Sequence, residues 1–494
     1  MAGRTAKAGV LALGNSLGTV VGLALAIILA RVLSKSDYAT YRQTILTFAL
    51  VCPLLALGLP QALLYFIPLD PKRAKGILTE CLTMLAGFGL LFSCFLLLGG
   101  QHWIAARFDN PDLARSLSAY AIFPLAFLPT LALPPCLIAR DQIAKSAIYS
   151  LAFKLAFFAL VLTAALVWQT GYAAVVARSL AAVLICFPGI AMMYKACRGT
   201  AGAISSEGFK RILFYSVPLG LAVGAGTLST NLDKLIVSTM SEPESFAVYV
   251  NGAMEVPFIG MVSAAVAAIL LPELAALHKK GKMSEGVPLW NRAAVKCSLL
   301  FFPIAAFLFV CADDLMVLLY SEKYAESAAP FRIYALILPV RIVQYGTVFQ
   351  AAGKTGQVLI RTLLALVVNV VVSVLLVLRF GYLGAAIGTL LTTYFFAVPY
   401  NLVSISRIMG VSISRVLPYG TIGLVTLASG LPAAAVGIAY PLLDGLAIPV
   451  RLGVAFAVFA VLVAVAFHFF RLQTFDQQMA HLNSLKSRIS KRRR

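Results

Sequence analysis

Lys154, Arg178, Lys296, Arg332, Arg341 and Glu255 stand inside long apolar runs of this 494-residue chain. A charge in such surroundings costs about 2.5–3.5 kcal/mol on insertion scales, so each needs a water-filled cavity, a partner or a ligand. The chemistry open to the cations is anion binding. A guanidinium offers phosphate a planar two-pronged fit, and an ammonium offers a point charge. Arg341 is the strongest candidate, about ten residues into the run 331–352 and so near the bilayer midplane. Gln344 and Tyr345 follow at i+3 and i+4, which on a continuous helix puts all three on one face. Glu255 is also near midspan, in the run 246–275, and a structural ion pair with Arg341 competes with substrate contact. Lys154 lies about seven residues, roughly 10 Å, into its run, within snorkelling range of the surface. Arg178 is at a similar depth from the opposite face, while Lys296 and Arg332 are near run ends and read as interfacial. Asn15, Gln61, Tyr65, Asn231 and Asn369 are secondary candidates, for which hydrogen bonding between helices competes with ligand contact.

The elements that position these groups follow from composition. Hydrophobic residues make up 61% of the chain and charged residues 12%, with a mean hydropathy of +0.92. A soluble domain is nearer half apolar and a quarter charged, so lipid is the solvent here. About fourteen apolar runs have the length that spans a bilayer as helix. The first of them, 9–31, has no A-x-A-like cleavage site and reads as a transmembrane helix, not a removable leader. Lys and Arg in the loops favour the side of the N-terminus by roughly three to one, which predicts both termini in the cytoplasm. The same bias explains most of the +21 net charge, and a charge spread over one membrane face argues against nucleic acid as a partner.

Catalytic and cofactor chemistry finds little support. The eight cysteines form no C-x-x-C and the four histidines are scattered, so neither disulfides nor a metal site are expected. Gly353-Lys354-Thr355 lacks the upstream glycine of a phosphate loop. No connection between the runs is long enough to form a separate catalytic domain.

Two pairs of segments recur at an offset of about 210 residues, which is the mark of a tandem repeat. Leu375-Leu-Val-Leu-Arg-Phe-Gly-Tyr-Leu-Gly-Ala-Ala-Ile-Gly388 matches Ala165-Leu-Val-Trp-Gln-Thr-Gly-Tyr-Ala-Ala-Val-Val-Ala-Arg178, each with a Gly-Tyr turn between two runs. Ser34-Lys-Ser-Asp-Tyr-Ala-Thr-Tyr41 matches Ser241-Glu-Pro-Glu-Ser-Phe-Ala-Val-Tyr249. Each repeat holds six spans. An even number gives both copies the same direction, hence two parallel lobes related about the membrane normal, with a cleft where they meet. The expected fold is an all-α integral membrane protein with a lobe at 1–205, a second at 206–410, two added helices in 411–470 and a basic tail at 471–494. In the tail, Phe475, Met479, Leu482, Leu485 and Ile489 form one apolar helical stripe. Lys486, Arg488 and the run to Arg494 would meet anionic lipid.

Ala30-Arg-Val-Leu-Ser-Lys-Ser-Asp-Tyr-Ala-Thr-Tyr41 resembles the segment after helix 1 in the polysaccharide transporter family. These are Wzx-type flippases of the multidrug/oligosaccharidyl-lipid/polysaccharide exporter superfamily. Asn231-Leu-Asp-Lys-Leu-Ile236, Ala247-Val-Tyr249, Leu318-Leu-Tyr-Ser-Glu-Lys-Tyr-Ala325, Gln350-Ala-Ala-Gly-Lys-Thr355 and Gly381-Tyr-Leu-Gly-Ala-Ala-Ile387 resemble later segments of the same family, in order. The resemblance implies 12 to 14 helices in two lobes. It also implies alternating-access flipping of undecaprenyl-pyrophosphate-linked oligosaccharide across the bacterial cytoplasmic membrane, with no cofactor. Coupling to a proton gradient, a sodium gradient or the membrane potential stays open. The partners it implies are the lipid-linked glycan, membrane lipids and polysaccharide polymerase or export machinery. Glu255 departs from the uncharged residues expected there, which leaves ion coupling and substrate preference open.

A multidrug and toxin extrusion-type antiporter shares the superfamily fold but needs a carboxylate deep in a lobe. Spans 1 to 6 have none, Glu80 being near an end, and the embedded charge is mainly positive. A lipid II flippase is a nearer alternative. A membrane glycosyltransferase, ligase or polymerase would need a sizeable external loop, and a non-transporting scaffold would not need embedded cations. The topology has a direct check. Alkaline phosphatase fused after Arg494 is expected to be inactive and green fluorescent protein fused there to be bright; the reverse pattern would overturn the orientation.

Overall fold

The computed structural model describes residues 4–472, with side chains described from residue 18 onward except at 257, 258 and 355. The predicted amphipathic tail and the side chain of Asn15 lie outside the described residues. The described residues contain helices and no strands. Twelve of the helices are long and apolar enough to cross a membrane. The chain divides into two compact units, Met1–Tyr249 and Val250–Arg494.

The first unit holds α1 (Arg4–Val32), α2 (Lys35–Ala56), α3 (Leu59–Leu69), α4 (Ala74–Phe95), α5 (Gln101–Arg107), α6 (Pro111–Tyr120), α7 (Ile122–Thr130), α8 (Leu133–Ala139), α9 (Ile143–Trp168), α10 (Gly171–Ala196) and α11 (Ser206–Met240). The division falls within α12 (Pro243–Gly252). The second unit holds α13 (Pro257–Lys279), α14 (Val287–Val310), α15 (Ala312–Tyr320), α16 (Ala328–Ala335), α17 (Gly346–Ala351), α18 (Thr355–Phe380), α19 (Tyr382–Leu391), α20 (Val398–Met409), α21 (Ile413–Val416), α22 (Tyr419–Ala439) and α23 (Ile448–Phe469).

Burial is inverted relative to a soluble protein. Leu98 is 86% exposed and Ile438 83%, while Gln43 and Glu80 are wholly buried. In lipid, an exposed leucine costs nothing and an unpaired polar group costs several kcal/mol.

The recurring sequence segments have distinct structural jobs. Ser34 caps α2, its Oγ accepting from the Asp37 amide at 3.0 Å. The Asp37 carboxylate in turn accepts from the Gly171 amide at 2.8 Å, so the two recurring segments of the first half meet. A Cβ on Gly171 would stand 2.2 Å from the Asp37 carbonyl oxygen, which is why glycine is needed there. Gly381 is needed for a different reason: it ends α18 with φ of +59°, outside the reach of most side chains. Gly384 and Gly388 then press α19 onto α18. Cβ atoms there would stand 2.2 Å from the Leu376 backbone and 2.3 Å from Ser373 Oγ. This is the small-residue, four-spaced seam by which membrane helices approach closely. The matching first-half positions are Ala174 and Arg178, so that hairpin packs differently.

Span 2 is broken between α2 and α3, where Leu57 and Gly58 both take positive φ. α11 fills the bend with a second small-residue seam, Ser216, Gly220 and Gly224, all buried. A Cβ on Gly220 would reach 2.3 Å from Leu57 C. Symmetry assigns α11 to the second repeat, yet within the first unit it packs against α2 and α3.

In the second unit, two predicted continuous spans break in mid-run. The run 246–275 leaves helical conformation at residues 253–256, between α12 and α13. The run 331–352 becomes α16, a 3₁₀ turn at Leu338–Ile342 and α17. Proline contributes to both: Pro257 follows the extended Val256, and Pro339, within the 3₁₀ turn, has no N–H to offer the Ala335 carbonyl.

The α11 seam yields a paired test. Gly220→Val is expected to overpack the bend by roughly 1–3 kcal/mol and to lower the melting midpoint of the solubilised protein by several degrees. Gly226→Val, on the same helix with nothing within 4 Å of its Cβ position, is expected to leave the midpoint unchanged.

Candidate functional site

The two broken spans of the second unit carry Glu255, Arg332 and Arg341. Gly252 ends α12 in a place where a Cβ would lie 2.3 Å from the Ser327 carbonyl oxygen. Pro257 opens α13, and Glu255 occupies the irregular link between them. Across from it, Leu338 and Ile342 of the 3₁₀ turn are buried with Phe301 and Phe302 of α14, which leaves Arg341 pointing outward. Val343 is extended (φ −138°, ψ 146°) and returns the chain to α17.

Breaking a helix in lipid frees backbone carbonyls, and side chains take them up here. Ser263 Oγ donates to the Arg341 carbonyl at 2.8 Å, and the Tyr394 hydroxyl donates to the Leu336 carbonyl at 2.7 Å. Arg341 Nη2 donates to Glu255 Oε1, so the two embedded charges pair. The pair is open: the side chains are 48% and 63% exposed. Two charges cannot face hydrocarbon cheaply, so the surface they share is a wet one. An ion pair this open contributes only about 0–1 kcal/mol to stability, too little to act as a structural clamp. The pairing engages Nη2 of the guanidinium and leaves its other donors for an anion.

Gln344 is exposed near Arg341, whereas Tyr345 is buried. The single helical face expected for Arg341, Gln344 and Tyr345 does not form, because the 3₁₀ turn and the extended residue intervene. Arg332, near the span end, pairs with Asp313 and donates from Nε to the Phe309 carbonyl at 3.2 Å. Asn369 accepts from Ser373 Oγ at 2.7 Å, one turn on in its own helix.

In the first unit the candidates are dispersed. Lys154 of α9 lies against α1, where a Cβ on Gly18 would touch its Nζ at 2.1 Å. Arg178 of α10 stands over the rings of Phe123 and Phe157, at 5.4 and 5.2 Å, with Tyr41 and Tyr120 beside it. A desolvated contact of this kind is worth about 2 kcal/mol or more. Asn231 donates to Thr227 O in its own helix at 3.0 Å. Gln61 and Tyr65 are exposed on α3.

Three polar clusters went unmarked in the sequence. Asn110 bridges Thr40 Oγ1 (2.9 Å) and Gln43 Oε1 (2.6 Å), and Gln43 donates onward to Ser238 Oγ at 3.1 Å. Glu80 takes the Arg73 guanidinium and the Ser205 amide, the latter at 2.9 Å, at the start of α11. Asp314 takes Arg451 and, at 2.6 Å, the Tyr440 hydroxyl; Arg451 also reaches Asp444 at 2.8 Å. Each joins residues far apart in the chain, so no local spacing betrays them.

Comparison with known proteins bears on family and fold. A family model described as polysaccharide biosynthesis protein matches residues 28–329. The probable lipid II flippase MurJ of Rhizobium tropici is 29% identical over 178 residues, 34% of this chain and 33% of that protein. The probable low-salt glycan biosynthesis flippase Agl15 of Haloferax volcanii is 25% identical over 172 residues, 34% of this chain and 35% of that protein. The matches thus span about a third of these relatives' own length. Among solved structures, the lipid II flippase MurJ in an inward closed conformation has a TM-score of 0.70 at 14% identity, covering 93% of this chain and 99% of that one. At that identity the likeness is one of fold.

The Asp314–Arg451 cluster gives a stability test. The two side chains are only 10% and 15% exposed. Arg451→Met alone is expected to cost about 3–5 kcal/mol by stranding a buried carboxylate. Adding Asp314→Leu is expected to recover most of the thermal midpoint, because an apolar pair of similar volume replaces a buried ion pair at little cost.

Proposed function

Because the chain belongs to the polysaccharide biosynthesis protein family, we propose that it is a flippase that carries a prenyl-diphosphate-linked oligosaccharide across the bacterial cytoplasmic membrane, both of its termini being cytoplasmic. The observation that carries this reading is the open Arg341–Glu255 pair at two facing helix breaks. The prenyl tail of such a substrate stays in lipid, and only the diphosphate and sugars need shielding from hydrocarbon. A fixed guanidinium in a wet recess offsets the cost of carrying the diphosphate. Alternating access then exposes that recess to one side at a time, without catalysis or an organic cofactor. The work is done by a proton gradient, a sodium gradient or the membrane potential. Polymerase and export machinery would receive the product.

A lipid II flippase is the second reading. It is favoured by the likeness to MurJ over 99% of that chain, and both substrates present a prenyl diphosphate. A cation antiporter is the weaker reading. In the first unit the buried carboxylates Glu80 and Asp233 are both engaged, Glu80 by Arg73 and Asp233 by the Tyr249 hydroxyl at 2.8 Å.

Translocation of fluorescent lipid-linked glycan in proteoliposomes tests the reading. Arg341→Ala is expected to lower the rate by at least about tenfold, while Arg341→Lys keeps part of it, since Lys retains charge without the planar fork. If Arg341 served only to neutralise Glu255, Glu255→Gln would restore the Arg341→Ala protein. Continued inactivity of the well-assembled double variant is the expected result, and restored transport would remove Arg341 from the substrate site.

A further inference from the structure

The contact between α3 and α11 carries a cluster that the Arg341 site does not use. Tyr65 and Tyr215 stack face to face, with ring centroids 4.8 Å apart and 12° between their planes. Phe66 meets both rings edge-on, at 5.0 and 5.3 Å, and the Arg211 guanidinium lies 5.1 Å over the Phe66 ring. Phe66 is buried, but Tyr65 and Tyr215 stay 48% and 42% exposed. Gln61, one turn before Tyr65 on α3, is exposed, and so are Lys210 and Arg211.

The cluster is preorganised. α11 meets the α2–α3 bend through Gly220, so close that a Cβ would stand 2.3 Å from Leu57 C. That approach fixes the spacing of the two tyrosines, and rigid rings bind with little loss of conformational entropy. Stacking uses one face of each ring, and the exposed part of each ring offers an apolar, electron-rich surface to the C–H face of a pyranose. Tyrosine hydroxyls and the Gln61 amide suit sugar hydroxyls, and an Arg–Lys pair suits phosphate. Arg211 precedes Tyr215 by four residues, about 6 Å along the helix axis. In a prenyl-diphosphate glycan the anion and the first sugar are directly joined, so they are separated by about the same distance. Isolated interfacial tyrosines anchoring the helix to the bilayer would need neither the stack nor the neighbouring cation.

Building on the flippase reading, we propose that Gln61, Tyr65, Tyr215 and Arg211 form a second binding site, besides Arg341, for the first sugar and the diphosphate of the lipid-linked glycan. The rings take the sugar and Arg211 takes the phosphates.

Calorimetry on the full-length protein in lipid nanodiscs tests this with two probes, farnesyl diphosphate and farnesyl-diphosphate-linked N-acetylglucosamine. Tyr65→Leu and Tyr215→Leu are each expected to weaken the sugar-bearing probe by about tenfold or more, and to leave farnesyl diphosphate within about twofold. Arg211→Ala is expected to weaken both probes by about fivefold or more, with Arg211→Lys retaining part of the affinity. Leucine variants that bind the sugar-bearing probe within about twofold of the parent would overturn the site while leaving the flippase reading intact. A parent protein that binds neither probe would overturn the substrate reading and the site together. Where a leucine variant fails to assemble, Gln61→Leu decides: a loss of about threefold or more for the sugar-bearing probe alone supports the site, and no change overturns it.

Discussion

Lipid supplies no hydrogen bonds, and this one constraint orders the whole molecule. Wherever a span stays helical, its backbone is satisfied internally and its outer face is free to be leucine, as at Leu98 and Ile438. Wherever a span breaks, something must replace the lost bonds. At the breaks in the second unit, Ser263 and Tyr394 supply those replacements to the carbonyls of Arg341 and Leu336. An irregular backbone at membrane depth is therefore confined to places that protein covers or water fills, which is also where a polar substrate can pass.

The same constraint sorts the charges. Asp314 and Arg451 are enclosed and paired, so they tie α23 to α15. Arg178 is enclosed by aromatic rings. Arg341 differs in being paired and open at once. Its partner keeps it from an unpaired charge's cost, and its exposure keeps it available. The proposed transport would use both properties, since a carrier of a diphosphate would wait empty in one orientation and be loaded in another.

Close backbone approach is the second recurring device. Gly384 and Gly388 against α18, and Ser216, Gly220 and Gly224 against the α2–α3 bend, bring helices together where larger side chains would hold them apart. Helix association in lipid lacks a hydrophobic drive and depends on such packing. At the α3–α11 contact it also sets two tyrosines and an arginine into a fixed surface.

The sequence by itself determined that this is a multi-pass helical membrane protein, and it picked out Arg341 and Glu255 as embedded charges near midspan. Both are local properties: hydropathy needs only a window of residues, and a charge in an apolar run is visible without knowing its neighbours. The family also showed in the sequence, since its motifs are short and ordered. Other features needed the tertiary structure. Pro257 and Pro339 are plain in the sequence, but a proline in a span kinks one helix and breaks another according to what packs beside it. The pairing of Glu255 with Arg341 joins residues from two such breaks. The recurring Gly-Tyr segments read alike, yet Gly381 serves a positive φ and Gly171 a close approach to Asp37. Tyr65 drew notice as a polar residue, but nothing local pointed to Tyr215, because a stack between two helices exists only once their backbones have met.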